Sequence, residues 1–334
     1  MADRPTAVLA MRADVVDAVL PADLRARLES CVRLRPEAIT GSFDEPSART
    51  ALSTADLLIT GWGCPLIDPD TLAAAPRLGA VIHAAGSVKH HVHPAVWQRG
   101  ISVSSAADAN AGPVIEFTLA TIVLAVRRTL GSAARYARGN SPGFGERQGG
   151  DGATIGVIGA SRIGRGVIAR LTTASAGYRV LLADPYVSER TATELGVRLV
   201  DLDELCRSSD IVTVHAPDLP ETHHLLDARR LALLRDGAAL INTARGRLID
   251  TDALAGACST GRIDAYLDVS EPEPLPKGHP LFDLPNVLVT PHIAGCQGSE
   301  VRRLGTYAVE EVERWTRGEP LLGAVGAADL ERIA

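Results

Sequence analysis

Cysteine is scarce in this sequence and never occurs in closely spaced pairs. None of the five cysteines forms a C-x-x-C motif, so we interpret them as free buried thiols and expect no metal site. We also expect the histidines of polar loops, among them His223, His224 and His279, to be solvated. The cysteines are Cys31, Cys64, Cys206, Cys258 and Cys296.

A long apolar run is also absent. The longest apolar stretch, residues 117–126, has about half the length of a membrane span, and it is bracketed by Glu116 and Arg127. We therefore expect a buried or dimer-facing helix here and no membrane partner. The N-terminal residues MADRPTAVLAM lack a basic segment followed by a long apolar one, which predicts a cytoplasmic protein.

Positive charge is not in excess. The chain has 34 Lys and Arg against 40 Asp and Glu, a net charge of −6, and its basic residues are scattered. This balance argues against a nucleic-acid partner. With 46% hydrophobic and 22% charged residues, the 334 residues suffice for two fully folded α/β domains.

Short apolar runs alternate with polar helical stretches. TAVLAM, ADLLITGW, GAVIHAA and GISVSS predict parallel strands joined by helices. A single long helix is predicted at 112–137, and six further strands follow the Gly-rich segment RGNSPGFGERQGGDG. We predict two Rossmann-like, doubly wound parallel-sheet α/β domains, with residues 108–295 inserted into a flavodoxin-like domain made of 1–107 and 296–334.

The strand-turn-helix segment IGVIGASRIGRGVIARL carries a glycine motif. Gly159 permits the sharp turn, Gly164 lets helix and strand approach, and the helix N-terminus offers N–H groups to a pyrophosphate. Ser161 replaces the middle glycine of G-x-G-x-x-G, and its hydroxyl can donate to a phosphate. The predicted dinucleotide contacts in this segment are Gly159, Ser161, Arg162, Ile163 and Gly164.

Asp184 ends the next predicted strand, VLLAD. A carboxylate about twenty residues beyond the glycine motif accepts hydrogen bonds from the two ribose hydroxyls. The same charge repels a 2′-phosphate, so we predict NAD and not NADP. The alternative interpretation is an aspartate that only caps the turn after its strand.

Reactive side chains recur at the ends of later strands, where an open parallel sheet binds its ligand. Arg245 follows AALINTA, and its planar guanidinium matches a carboxylate in two-point contact. His292 follows NVLVTP, and an imidazole can give or take a proton. A carboxylate beside it would stabilise its protonated form, and the residues leave open whether Glu271 or Glu273 does so.

Three segments follow the glycine motif in a fixed order: INTARGRLID, LDVSEPEPLP and LVTPHIAG. They resemble the arginine, glutamate and histidine segments of the D-isomer-specific 2-hydroxyacid dehydrogenase family. The resemblance covers most of the chain. It implies an oxidoreductase that transfers a hydride between NAD(H) and a small 2-oxo or D-2-hydroxy acid. It also makes 108–295 the NAD-binding domain and the remainder the substrate-binding domain.

The resemblance implies roles for single residues. It selects Glu273 as the partner of the acid/base His292, gives Arg245 the substrate carboxylate, and lets Asp268 meet the nicotinamide carboxamide. The other implied cofactor contacts lie in VHAPDLPETHHLL and in the arginine segment. They are His215, Ala216, Pro217, Thr222, Thr243 and Ala244.

The family's substrate loop is similar to residues 85–89, with serine for one glycine and Lys89 for the aspartate. The implied substrate contacts outside the arginine segment are Gly86, Ser87, Val88 and Asn110. Lys89 would receive an anionic substrate tail or lie on an exposed basic loop, and the identity of the acid stays open. The helix at 112–137 resembles the family's dimerisation arm, so a homodimer is expected.

Other functions remain to be weighed. Formate dehydrogenase resembles the family but carries Gln where Glu273 stands, so the carboxylate argues against it. Phosphoglycerate dehydrogenase stays open. A non-enzymatic NAD(H)-sensing protein, as the related transcriptional corepressors are, is disfavoured by the intact Arg245, Glu273 and His292.

Overall fold

The computed structural model describes residues 4–331, and the chain divides into two compact units. Of the described residues, the first unit contains 4–111 and 296–331, and the second contains Gly112–Gly295. The outer bounds of the predicted first domain, residues 1 and 334, lie outside the described residues.

Each unit contains one sheet, and most of its central strands are short, buried and rich in aliphatic residues. Strands of this kind are typical of parallel sheets covered by helices on both faces. The strands are β1 (Thr6–Ala10), β2 (Arg33–Leu34), β3 (Leu57–Thr60), β4 (Ala80–His83), β5 (Ser102–Ser105), β6 (Thr154–Ile158), β7 (Arg179–Ala183), β8 (Arg198–Leu199), β9 (Ile211–Val214), β10 (Ala239–Asn242), β11 (Asp264–Leu267) and β12 (Val287–Val289).

Both sheets are parallel, which confirms the predicted α/β class. The strand order is β2-β1-β3-β4-β5 in the first unit and β12-β11-β10-β9-β6-β7-β8 in the second. In the second sheet the chain runs outward from β6 to β7 and β8, and then returns to β9 on the other side of β6. The carboxyl end of β6 is therefore the switch point at which such sheets bind ligands.

Helices join the strands in both units. They are α1 (Ala13–Val19), α2 (Ala22–Cys31), α3 (Pro46–Leu52), α4 (Pro69–Ala74), α5 (Ala95–Gln98), α6 (Ala107–Val126), α7 (Thr129–Ala137), α8 (Arg162–Leu171), α9 (Glu189–Glu194), α10 (Leu202–Ser208), α11 (Ala228–Leu233), α12 (Thr251–Ser259) and α13 (Val301–Thr316).

The prediction of one helix over 112–137 was wrong. The structure has α6 and α7 instead, separated by Arg128 in the left-handed region at φ 50°. The hydroxyl of Thr129 donates to the carbonyl oxygen of Leu124 at 2.8 Å, so a side chain takes up one of the carbonyls at the end of α6. The chain therefore breaks the helix at Arg128, where the sequence predicted one uninterrupted helix.

Helix α6 is the one helix of residues 4–331 that is long and apolar enough, by length and composition, to cross a membrane. Of its most apolar 18-residue window, 44% is buried within the protein. Ile122, Ala125 and Val126 pack in the core of the second unit. A core helix satisfies the same criteria, so this finding does not assign a membrane.

Candidate active site

The turn after β6 has no room for side chains at its glycines. Gly159 has φ 91°, and a Cβ there would lie 2.8 Å from the backbone nitrogen of Ala216. A Cβ on Gly164 would collide with the carbonyl oxygen of Gly159. The turn, the start of α8 and the residues after β9 are therefore held in direct backbone contact.

Ser161 occupies the N-cap of α8 but does not cap it. Its hydroxyl donates to the carbonyl oxygen of His215 at 2.8 Å, so its single O–H is used within the chain and not left for a phosphate. The N–H groups at the start of this ten-residue helix thus donate no hydrogen bond to the N-cap side chain. An anion is the ligand that such a helix end accommodates.

His215 is buried directly beside the glycine turn. Its Nε2 lies 2.9 Å from the hydroxyl of Thr213, whereas its Nδ1 has no hydrogen-bond partner within the described residues. Burial lowers the pKa of His215 to about 3, so the ring is neutral. A buried polar nitrogen without a partner is costly unless a ligand or water satisfies it. This arrangement fits a polar ligand at the switch point.

Asp184 follows β7 directly and binds two backbone N–H groups. Its Oδ2 accepts from Ala160 at 2.7 Å and its Oδ1 from Tyr186 at 2.8 Å. The capping role considered as an alternative is therefore present, and it also fixes the glycine turn. Each carboxylate oxygen retains a second lone pair, which can accept from a ribose hydroxyl.

The other predicted cofactor contacts lie at the ends of β9 and β10 or at the start of α8. Thr222 donates to the carbonyl oxygen of Pro217 at 2.6 Å and accepts from the N–H of Leu219 at 2.9 Å, which closes the turn after β9. The hydroxyl of Thr243 lies 2.8 Å from that of Thr118. Arg162 and Ile163 form the first turn of α8, and Ala216 and Ala244 are buried.

His292 and Glu273 form a close pair. Nδ1 of His292 lies 2.6 Å from Oε1 of Glu273, and both side chains are exposed. Glu271 instead contacts His223, His224 and Arg247. The structure thus brings together the two residues that the resemblance pairs and separates Glu271 from them.

Asp268 organises the segment that carries His292. Its Oδ1 accepts from the hydroxyl of Thr290 at 2.6 Å and from the N–H of Ile293 at 2.8 Å, and its Oδ2 accepts from Ala294 at 2.8 Å. His292 itself has φ 55°, a conformation that needs such support in a non-glycine residue. Sequence reasoning missed Thr290, whose place directly before the Pro-His pair was the available signal.

Arg245 follows β10 in a segment anchored by Asn242. The Asn242 amide donates to the carbonyl oxygen of Arg245 at 2.8 Å and accepts from the N–H of Ala244 at 3.0 Å. Burial lowers the pKa of the Arg245 guanidinium, while Asp218 and Glu273 act in the opposite direction. A guanidinium stays charged regardless. Asn242 was also missed, although a polar residue ending a buried strand marks it.

In the first unit, the loop after β4 and the start of α6 are adjacent. A Cβ on Gly86 would lie 3.3 Å from the amide nitrogen of Asn110, whose Oδ1 accepts from the N–H of Cys296 at 2.9 Å. Val88 is buried in the core, so its side chain is not available to a substrate. Among the described residues, none accepts from the backbone N–H of Gly86, Ser87 or Val88. These donors suit an anionic group.

Comparison with known proteins shows that the chain belongs to the D-isomer specific 2-hydroxyacid dehydrogenase family. Residues 119–294 match the family model described as "D-isomer specific 2-hydroxyacid dehydrogenase, NAD binding domain". The chain is 35% identical over 273 residues to the D-3-phosphoglycerate dehydrogenase of Methanocaldococcus jannaschii, covering 80% of this chain and 51% of the relative. It is 35% identical over 263 residues to the glyoxylate reductase of Thermofilum pendens, covering 76% of each.

The chain is also similar to a solved dehydrogenase structure. D-lactate dehydrogenase from Aquifex aeolicus, complexed with NAD and lactic acid, is 27% identical, with a TM-score of 0.73 over 94% of this chain and 96% of that one. The chain spans about half the length of the first curated relatives it matches.

Proposed function

We propose that this chain, which belongs to the D-isomer specific 2-hydroxyacid dehydrogenase family, is an enzyme that transfers a hydride between NAD(H) and a small 2-oxo or D-2-hydroxy acid. The observation that carries the proposal is the 2.6 Å contact between His292 and Glu273. The pair lies at the carboxyl-end side of the sheet that also carries the glycine turn and Asp184.

The second unit carries the NAD-binding domain, and its residues fit the cofactor. When bound, NADH supplies the hydride. The uncapped start of α8 would hold the pyrophosphate, and Asp184 would accept from the ribose and exclude a 2′-phosphate. The unpartnered Nδ1 of buried His215 supports a ligand beside the turn. We assign Asp268 to the nicotinamide end as well as to its structural role.

The chain's own chemistry is a proton transfer and a carboxylate clamp. Because Nδ1 of His292 faces Glu273, its Nε2 is the nitrogen that gives the proton to the substrate oxygen during reduction. Glu273 would fix the orientation of the ring through this contact. Arg245 would bind the substrate carboxylate in two-point contact. In the first unit, we assign the amides of residues 86–88 and Asn110 to the substrate.

We further propose a cytoplasmic homodimer without nucleic-acid or membrane partners. Val123, Leu124 and Tyr136 on α6 and α7 are 52%, 43% and 71% exposed, and α7 buries none of its residues. An apolar face of this kind suits a second copy of the chain. The net charge of −6 supports the absence of nucleic acid. The domain assignment, 108–295 for NAD and the remainder for substrate, belongs to the same proposal.

Phosphoglycerate dehydrogenase is the second candidate. Its support is the 35% identity to several proteins of that name. A phosphorylated substrate would need cationic groups beyond Arg245, and the loop containing Lys89 is the place where we would look for them. An NAD(H)-sensing protein without turnover is the candidate from another class.

A substrate panel tests these alternatives. NADH and NADPH oxidation is followed with 2-oxo acids of increasing chain length, with and without a terminal phosphate. We expect turnover with NADH, a D-configured product, and loss of turnover in His292→Ala with NADH affinity within about twofold of wild type. Micromolar NADH binding without turnover of any acid would instead support the sensing protein.

A further inference from the structure

Two histidines and a glutamate form a cluster apart from the His292 and Glu273 pair. Nε2 of His223 and Nε2 of His224 lie 3.5 and 3.3 Å from Oε2 of Glu271, and the three ligand atoms lie within 4.8 Å of one another. Ligand atoms around a tetrahedral zinc with bonds of about 2.1 Å are about 3.4 Å apart. We propose that His223, His224 and Glu271 bind a divalent transition-metal ion of the zinc class.

The backbone presents the three side chains toward one another. The N–H of His224 donates to the carbonyl oxygen of Arg247 at 2.8 Å, and Leu226 bridges in parallel to Ile249. Arg247 also binds Oε1 of Glu271 at 3.3 Å, which turns Oε2 toward the histidines. The cluster therefore combines separate chain segments in a fixed arrangement, as a metal site requires.

Asp250 provides an independent observation. Its Oδ2 lies 4.0 Å from Nδ1 of His224, on the ring nitrogen opposite to the one that faces Glu271. Metal-binding histidines commonly donate their second N–H to a carboxylate, which orients the ring. Asp250 is itself held in place because its Oδ1 caps α12 through the N–H of Ala253.

Access and ligand type define the metal class. The side chains of His223, His224 and Glu271 are 39%, 38% and 31% exposed, so an ion can enter from solvent. The two imidazoles are stacked with centroids 3.9 Å apart, and both Nε2 atoms lie within 3.5 Å of the same carboxylate oxygen of Glu271. Two nitrogens and one oxygen suit Zn²⁺, Co²⁺ or Ni²⁺ and not Mg²⁺ or Ca²⁺.

The test measures metal binding and needs no turnover, so its failure is separate from failure of the proposed enzyme activity. Tag-free, chelator-treated protein is titrated with ZnCl₂ by calorimetry, and CoCl₂ is followed by its visible absorption. We expect one equivalent of metal and a Zn²⁺-dependent rise in the thermal midpoint. His224→Ala should weaken binding at least tenfold and abolish that rise.

Two further variants make the outcome specific. His279→Ala removes a histidine of the same unit outside the cluster and should bind Zn²⁺ as wild type does. Asp250→Asn retains an N-cap residue but loses the negative charge 4.0 Å from His224, and should weaken binding less than His224→Ala does. Absence of stoichiometric binding in wild type, or equal binding by His224→Ala, would overturn the proposal.

Discussion

Glu273 and His292 act as one unit because 2.6 Å separates Oε1 from Nδ1. Glu273→Gln keeps the size of the side chain but removes the carboxylate charge beside the ring that we propose as the proton donor. We expect kcat for reduction of a 2-oxo acid to fall at least about tenfold, since general acid catalysis contributes about 10²–10⁴ in rate. Steady-state kinetics with NADH and a 2-oxo acid measures the effect.

A matched control for this variant is Glu194→Gln, which changes an exposed glutamate of α9 that pairs with Arg190. It should leave kcat at the wild-type value. A Glu273→Gln enzyme with the kcat of the wild type would remove Glu273 from the proton transfer.

At the level of single residues, the sequence predicted some site residues but not the contacts that they make. Strand-end position was enough to single out Arg245 and His292 as candidates. Spacing along the chain could not decide between Glu271 and Glu273, because both lie about equally far from His292 in the sequence. Only the fold sends Glu271 to Arg247 and Glu273 to His292. For the same reason, the hydrogen bond from Ser161 to His215 was invisible in the sequence.

At the scale of elements, Asp268 links the end of β11 to the segment after β12. Its carboxylate accepts three hydrogen bonds, from Thr290, Ile293 and Ala294. An amide has one acceptor oxygen and cannot replace all of them. We expect Asp268→Asn to lower the free energy of unfolding by about 1–3 kcal/mol through buried donors left unpaired, and to lower kcat by loosening His292. Denaturant unfolding and kinetics measure the two effects.

Thr290→Val is a milder variant to compare with Asp268→Asn. It removes one of the three hydrogen-bond donors and leaves the carboxylate intact. It should cause a smaller loss of stability and of kcat. If Asp268→Asn raised only the KM for NADH, with stability and kcat unchanged, its role would lie in cofactor contact alone.

Buried strands were predicted correctly, whereas the short strands at the sheet edges were not. The buried aliphatic strands of four or five residues were predictable because a buried strand leaves a continuous apolar run. Strands β2 and β8 have two residues each, Arg33–Leu34 and Arg198–Leu199, and leave no such run at the sheet edges. The break at Arg128 was missed because arginine is a good helix former, and its left-handed conformation is set by its surroundings.

At the scale of the whole molecule, each unit buries one neutral histidine. Burial lowers the pKa of His83 in the first unit and of His215 in the second to about 3 in each case. Histidine in an unfolded chain has a pKa of about 6.5. Burial raises the pKa of Asp264, and protonation of that carboxyl would offset part of an acid effect. A comparison of unfolding free energies that stops at pH 5 stays closer to the pH range in which histidine titrates than to that of a carboxyl group.

Stability should therefore fall on mild acidification. Above pH of about 6.5 neither state protonates these histidines, whereas below it only the unfolded chain binds the protons, so stability is lost as pH falls toward 3. Each histidine should cost about 2 kcal/mol of unfolding free energy between pH 7.5 and pH 5. Urea unfolding followed by circular dichroism measures this. In His83→Gln, the lost hydrogen bond to Thr60 lowers stability at every pH, but the pH dependence should shrink by that one histidine. An unchanged pH dependence in this variant would show that His83 takes up its proton in the folded state.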